Sequence, residues 1–123
     1  MILVVDDEED IAEELADLIE STSREVVYAT SALEGLEIAK KNVIDLVITD
    51  MRMPQMDGAE LVRKIVDYYE PDRRPSFIVI SGHLGASDDL LHLNDVAYTL
   101  VPKPVEVELL LETIASIEKV DNA

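Results

Sequence analysis

Several residue types that define familiar classes of small protein are scarce or missing from this 123-residue sequence. It has no cysteine, which excludes a disulfide framework and a cysteine-liganded zinc ribbon and fits a reducing compartment. No stretch approaches the roughly 20 apolar residues that span a bilayer. The opening apolar run ends at Asp6 and Asp7, so it lacks the length and basic start of a signal peptide. We therefore expect a cytoplasmic protein.

Positive charge is also scarce. Ten lysines and arginines face 27 aspartates and glutamates, which gives a formal net charge of −17. Such a field repels phosphate backbones and anionic lipid headgroups, so we expect neither direct nucleic-acid binding nor membrane binding. The same field attracts cations, Mg²⁺ among them.

The length and the apolar content predict a single folded unit. Apolar residues make up 48% of the chain, enough to fill a core. The sequence shows no internal repeat, low-complexity segment or Pro/Gly/Ser-rich linker. We expect one domain spanning residues 1–123.

Two alternating patterns predict the fold. Short, continuously apolar runs at 2–5, 43–49 and 77–80, and weaker ones at 25–30 and 97–101, indicate strands buried on both faces. Amphipathic stripes between them predict helices, with a weaker helix over 86–94. The stripes are Ile11, Leu15, Leu18 and Ile19; Leu33, Leu36 and Ala39 after a cap at Ser31; Leu61, Ile65 and Tyr69 before Pro71; and Val107, Leu110, Leu111 and Ile114. This alternation predicts an α/β fold, a five-stranded parallel sheet of order 2-1-3-4-5 doubly wound with five helices, as in flavodoxin-like proteins.

Polar side chains follow four of the predicted strands. The first strand leads to Asp6 and Asp7, the third to Asp50, the fourth to Ser81 and the fifth to Lys103. Since ligands of open α/β sheets bind at the carboxyl ends of the strands, we expect these side chains to converge at one edge.

The chemistry of this set is specific. Three neighbouring carboxylates repel one another, so one must be protonated or a cation must bind, and Mg²⁺ prefers oxygen ligands. Asp50 would then attack phosphorus as a carboxylate nucleophile to give an aspartyl phosphate. Lys103 would add a second positive charge and Ser81 a hydrogen bond to the phosphoryl oxygens.

Each of these residues also has an ordinary structural interpretation. The acidic pair could cap the first helix, Asp50 and Ser81 could open turns, and Lys103 could be solvated. Their joint placement at strand ends favours a site.

Four motifs make the chain resemble a known family over essentially its whole length. They are VVDDEED at 4–10, LVITDMRMPQMDG at 46–58, VISGH at 79–83 and VPKP at 101–104. The sequence resembles the receiver domain of bacterial two-component response regulators. The resemblance implies a signalling domain rather than an enzyme, one in which Asp50 accepts a phosphoryl group from the phosphohistidine of a sensor histidine kinase.

The resemblance also implies roles for the other residues of the edge. Asp7, Asp50 and the main-chain carbonyl of Arg52 would bind Mg²⁺ directly, and Asp6 would act through water. Ser81 would move toward the phosphoryl group and Lys103 would pair with it. The Lys103–Pro104 peptide bond would be cis, and Pro54 and Gly58 would shape the loop after Asp50.

The chain departs from the family's pattern at one position, and two further side chains have two possible roles each. Relatives usually carry an aromatic residue where this chain has Leu100, which puts their usual rotamer switch in doubt. Tyr98 is either its substitute or an outer-face aromatic, and we favour the second. Arg52 and His83 either border the path of the hydrolytic water or are ordinary surface residues.

Two other classes of protein compete with this interpretation. A Mg²⁺-dependent phosphohydrolase would share the aspartyl chemistry but would carry a second acid where Arg52 stands. A nucleotide-binding flavodoxin-like module would need glycines and hydroxyls after the first strand, where this chain has an acidic run at 6–9.

The partners implied by the resemblance are the kinase and a downstream protein or attached output domain. The chain is either a stand-alone receiver or part of a larger regulator or hybrid kinase, and phosphorylation-dependent dimerisation stays open. The expected contact face comprises the fourth helix, fifth strand and last helix. Leu90, Leu91 and Leu93 are candidates for that surface, although most leucines in a short helix belong to the core.

Overall fold

The computed structural model describes residues 1–82, 93 and 95–121, and within them strands alternate with helices. The elements in chain order are β1 (Ile2–Val5), α1 (Glu9–Glu20), β2 (Val26–Ala29), α2 (Ala32–Lys41), β3 (Leu46–Asp50), α3 (Gly58–Tyr68), a 3-10 turn (Pro71–Arg73), β4 (Ser76–Ser81), β5 (Thr99–Pro102) and α4 (Val107–Asp121). No helix in the described ranges is long and apolar enough to cross a membrane.

The five strands form one parallel sheet. Its order is β2-β1-β3-β4-β5, and every neighbouring pair is parallel, so the predicted topology is confirmed. The described residues contain four α-helices. The fifth helix, predicted over 86–94, falls outside the described residues except for Leu93, which is fully buried.

Both faces of the sheet are covered, as the continuous apolar runs predicted. Successive strand side chains alternate between two apolar clusters, one on each face. The α2–α3 cluster includes Leu3, Val5, Val47, Phe77 and Val79 together with residues of α2 and α3. The α1–α4 cluster includes Ile2, Val4, Ile48, Ile78 and Ile80 together with residues of α1 and α4.

Small residues bring two helices close to the sheet, and this corrects two predicted stripes. Helix α1 buries Ala12, Ala16 and Ile19, whereas Ile11 is 37% exposed. Leu33 of the second stripe is 58% exposed.

The second correction follows from the close approach of α2 to β1. A Cβ atom on Gly35 would lie 2.9 Å from Val5 Cγ2, so the centre of the buried face is at Gly35 and Leu33 is on its flank. The predicted cap of this helix is confirmed, since the side chain of Ser31 accepts a hydrogen bond from the Glu34 amide at 3.1 Å.

Strand boundaries also differ from the sequence pattern. The third strand begins at Leu46 rather than at 43, because Val43 is 79% exposed and lies in the connection from α2. The last strand begins at Thr99 rather than at 97. The first strand occupies residues 2–5 as predicted.

Two tyrosines at the end of α3 hold the end of α2. The hydroxyl of Tyr69 lies 2.6 Å from the carbonyl oxygen of Ala39 and 2.9 Å from that of Asn42. The hydroxyl of Tyr68 donates to the carbonyl of Lys40 at 3.2 Å. These contacts supply donors to carbonyls that a helix terminus leaves without partners.

Replacing Tyr69 with phenylalanine should lower the free energy of unfolding by about 1 kcal/mol, the usual net value of one hydrogen bond. Tyr68→Phe is the matched control and should change it less, because Tyr68 is 52% exposed and water can replace its bond. Urea denaturation of both variants measures the difference. Equal losses would contradict the assignment.

Candidate functional site

The sheet register places the acidic residues side by side. Asp50 is the last residue of β3, and Asp6 directly follows β1. Val5 of β1 pairs with Thr49 of β3, so the next residues along the two strands, Asp6 and Asp50, are neighbours at the carboxyl edge. Both are buried, and Asp7 is exposed.

The same register brings Ser81 and Lys103 to this edge. Ser81, the last residue of β4, pairs with Pro102 of β5, and the amide of Lys103 donates to the carbonyl of Ser81 at 2.9 Å. Ser81 is buried. The Lys103–Pro104 peptide bond is cis, as the resemblance implied.

The charged groups are in close contact. Asp6, Asp7 and Asp50 each offer one carboxylate oxygen, and these oxygens lie within 4.8 Å of one another. The Nζ atom of Lys103 lies 3.1 Å from Oδ1 of Asp50. The Asp50 side chain is 7% exposed and that of Lys103 40%, so a buried carboxylate contacts a cation that solvent still reaches.

Asp6 is the carboxyl group that this crowding affects most clearly. Burial raises the pKa of Asp6 above its ordinary value, and the charges of Asp50 and Asp7 act in the same direction. A hydrogen bond from the Glu8 amide to Asp6 Oδ1, 2.9 Å long, and the charge of Lys103 oppose this rise. The bond to Glu8 shows that Asp6 also shapes the turn before α1.

The residues present fit a divalent metal ion. Three carboxylates that converge within a few ångströms offer the hard oxygen ligands that Mg²⁺ prefers. Within the described parts of the chain, this is the one group of three or more potential metal-ligating side chains.

The loop after Asp50 is tightly folded. The amide of Met51 donates to the Ile80 carbonyl, and the amide of Gly58 donates to the Met51 carbonyl, both at 2.8 Å. Between them Gln55 has a positive φ of 70°, and the Met56 amide donates to the Pro54 carbonyl at 2.8 Å. A three-residue turn therefore folds the loop back so that α3 begins beside the end of β3.

Gly58 is required by this close return. A Cβ atom there would lie 2.4 Å from the carbonyl oxygen of Asp50 and 3.1 Å from the Cα atom of Met51. Both are backbone atoms that a rotamer change cannot move.

The other residues that the sequence analysis singled out differ in their burial. The ring of Tyr98 is half-buried against the α2–α3 cluster, and Leu100 is half exposed. Leu93 is fully buried, so of its two interpretations the contact surface is wrong and the core is confirmed. The Arg52 side chain is exposed beside the loop. His83, Leu90 and Leu91 lie outside the described residues.

Sequence reasoning missed one buried polar residue. Thr49 is fully buried, and its hydroxyl donates to the carbonyl oxygen of Asp50 at 3.0 Å. In the sequence, Thr49 appears only as a hydroxyl side chain within the apolar run before Asp50. Threonine is common in strands, so its presence there did not indicate a special role.

Fold and edge together define a flavodoxin-like α/β domain with an acidic cluster and a lysine at the carboxyl ends of its strands. A family model described as the response regulator receiver domain matches residues 2–115. The chain therefore belongs to the receiver domain family of two-component response regulators.

Individual relatives agree with this assignment. A response regulator receiver protein of Anaeromyxobacter sp. (strain Fw109-5) is 38% identical over 89% of this chain and 45% of its own length. The transcriptional regulatory protein GlrR of Escherichia coli (strain K12) is 30% identical over 92% of this chain and 25% of its own length. The chain thus spans less than half the length of these two relatives.

Solved structures match over nearly their full length. A response regulator receiver domain protein of Clostridium thermocellum has a TM-score of 0.86 and 35% identity, covering 98% of this chain and 95% of the other. The receiver domain of the hybrid histidine kinase CckA has a TM-score of 0.76 and 30% identity, covering 94% and 96%.

Asp6→Asn should stabilise the metal-free protein at neutral pH. The folded-state pKa of Asp6 is raised, so ionised Asp6 costs stability above that pKa, and the cost disappears as pH falls through it toward 3.8. Each tenfold change in proton affinity corresponds to about 1.4 kcal/mol. Urea denaturation in EDTA from about pH 4 to about pH 8 measures the free energy of unfolding of both proteins. The difference in favour of Asp6→Asn should grow as pH rises and Asp6 ionises. A gain independent of pH would contradict the assignment.

Gly58→Ala should lower the free energy of unfolding by about 1–3 kcal/mol, the usual cost of forcing extra atoms into packed surroundings. Gly82→Ala is the matched control, because its Cβ would meet only side-chain atoms of Lys103 at 3.5 Å or more. Denaturation of both variants measures the difference. A stable Gly58→Ala variant would show that α3 can move away from Asp50.

Proposed function

We propose that this domain accepts a phosphoryl group on Asp50 from the phosphohistidine of a sensor histidine kinase, in a Mg²⁺-dependent reaction. The observation that carries the proposal is the position of Asp50. Its buried carboxylate contacts Lys103 at 3.1 Å and shares the end of the sheet with two further carboxylates. The family assignment supports the same conclusion.

In the proposed reaction a carboxylate oxygen of Asp50 forms a bond to phosphorus while the bond from phosphorus to the histidine nitrogen breaks. The imidazole leaves with the bonding electron pair and is protonated. Such a transfer depends on positioning and on neutralising charge more than on proton transfer by the protein. The domain therefore acts as a phosphoacceptor rather than as an enzyme with a separate substrate.

Asp7, Asp50 and the carbonyl oxygen of Arg52 are the proposed direct ligands of Mg²⁺, with Asp6 acting through water. Bound Mg²⁺ would supply positive charge both to the crowded carboxylates and to the incoming phosphoryl oxygens. Asp6 and Asp7 would help to keep the ion near Asp50, because the register of β1 and β3 places Asp6 beside Asp50 and one oxygen of each of the three carboxylates lies within 4.8 Å of the others.

Lys103 and Ser81 are the proposed contacts of the phosphoryl oxygens. Lys103 already pairs with Asp50, and its solvent-exposed side chain can follow the charge from the carboxylate to the new group. Ser81 lies at the end of the neighbouring strand, where its hydroxyl would donate a hydrogen bond. Phosphorylation would then shift an existing equilibrium between two states of a partner-binding surface.

The cellular setting is proposed from the relatives. We propose a cytoplasmic domain over residues 1–123 that receives its phosphoryl group from a sensor kinase and signals to a downstream protein or an attached output domain. GlrR is a transcriptional regulator and CckA a hybrid kinase, so both settings occur among proteins similar to this chain.

Incubation with acetyl phosphate and Mg²⁺ should add one phosphoryl group, measured by intact mass. The gain should disappear in Asp50→Asn and in EDTA, because each removes the nucleophile or the metal. Asp57→Asn is the matched control: Asp57 caps α3 by accepting from the Glu60 amide at 2.8 Å, and asparagine caps equally well. Its phosphorylation should therefore be unchanged.

A phosphoryl gain retained in Asp50→Asn would place the acceptor elsewhere. If acetyl phosphate gives no gain, a phosphohistidine donor is the next reagent, and failure of both donors would overturn the proposal. Release of inorganic phosphate from small phosphoesters would favour a phosphohydrolase instead.

A further inference from the structure

Thr49 is a buried hydroxyl residue whose neighbours on both adjacent strands are valines. It is fully buried and lies on the face of β3 opposite to Asp50, because successive strand side chains alternate. Its register partners on the two neighbouring strands are Val5 and Val79, both members of the α2–α3 cluster. Burying a hydroxyl in such surroundings costs free energy unless it is hydrogen-bonded, so the partner of the Thr49 hydroxyl needs to be identified.

The partner of this hydroxyl is the peptide group between Asp50 and Met51. The Thr49 hydroxyl donates to the carbonyl oxygen of this group at 3.0 Å, and its N–H, on Met51, donates to the Ile80 carbonyl at 2.8 Å. A peptide group is planar, so fixing its oxygen and its N–H together fixes the orientation of the whole plane.

This peptide plane connects Asp50 to the loop that follows it. Its orientation sets the backbone torsion of Asp50 and the direction in which the loop leaves the strand. The first residue of α3 packs on the same oxygen, since a Cβ on Gly58 would lie 2.4 Å from it. The oxygen is therefore confined by the Thr49 hydroxyl and by the backbone of α3.

We propose that Thr49 is a positioning residue for Asp50, acting through the Asp50–Met51 peptide and without touching the phosphoryl group. The inference rests on the proposed role of Asp50 as phosphoacceptor. Loss of the hydroxyl removes one of the two hydrogen bonds that fix the peptide plane, so that Asp50 and the loop carbonyls occupy the reactive arrangement less often.

The test compares Thr49→Val with Thr49→Ser. Valine keeps the shape and removes the hydroxyl, whereas serine keeps the hydroxyl and removes a buried methyl group. Val47→Ala serves as a stability control. Val47 is fully buried on the same face of β3, and its side chain has no hydroxyl that could bond to the Asp50–Met51 peptide. Phosphorylation rates with acetyl phosphate and Mg²⁺ are measured beside urea denaturation for each variant.

We expect the rate to follow the hydroxyl and not the stability. Thr49→Val, which loses the hydrogen bond to the Asp50 carbonyl, should phosphorylate about fivefold more slowly, the fold-change equivalent to one typical hydrogen bond. Thr49→Ser and Val47→Ala should be less stable and keep the native rate. A native rate in Thr49→Val, or rates that fall with stability across all three variants, would overturn the inference.

A second measurement separates this inference from the proposed function. Hydrogen exchange of the Met51 amide needs no phosphorylation, and it should accelerate in Thr49→Val and keep its native rate in Thr49→Ser. A native chain that takes no phosphoryl group from any donor refutes the function of Asp50. Unchanged Met51 exchange in Thr49→Val refutes the positioning role, whatever the native chain does with phosphate.

Discussion

The crowding of negative charge at the carboxyl edge of the sheet is the constraint on which the rest of the structure depends. A parallel sheet ends all its strands in one direction, so the residues that follow β1 and β3 must meet. Three carboxylate oxygens lie within 4.8 Å there, and one ammonium group, that of Lys103, contacts Asp50. Burial of Asp6 adds to the cost, as its raised pKa shows. The apolar clusters on both faces must stabilise an edge that is electrostatically unfavourable by itself.

Close packing keeps that edge in place. Two glycines let helices approach the sheet more closely than any side chain would allow: Gly35 of α2 against Val5, and Gly58 of α3 against the Asp50 backbone. These contacts lie just before and just after the acidic residues along their strands. Because packed interiors resist small displacements, the buried side chains of Asp6 and Asp50 cannot move far apart. Their repulsion then favours the binding of a cation, which neutralises them.

The convergence of these side chains was predictable from sequence because each of them follows the end of a strand. Each short apolar run stops at a polar residue, and parallel topology then brings Asp6, Asp50 and Lys103 together. Side-chain burial was less predictable, because hydrophobic periodicity favours large residues whereas the closest packing uses small ones such as Ala12, Ala16 and Gly35. The threonine in the run before Asp50 reads as an ordinary strand former, and only the backbone geometry shows that its hydroxyl reaches the Asp50 carbonyl.

The position of β5 determines how a change at the site can reach a surface. The Lys103 amide is bonded to the Ser81 carbonyl. Val79, two residues before Ser81, pairs with Leu100, three residues before Lys103. A shift of Ser81 toward a phosphoryl group would therefore pull on the chain three residues from Leu100, which is half exposed. Further burial of an aliphatic side chain lowers the free energy of the protein. It does not need the hydrogen bond that a buried tyrosine hydroxyl would require. Apolar burial along β5 would therefore favour any state in which Leu100 is covered, and the half-buried Tyr98 directly precedes that strand.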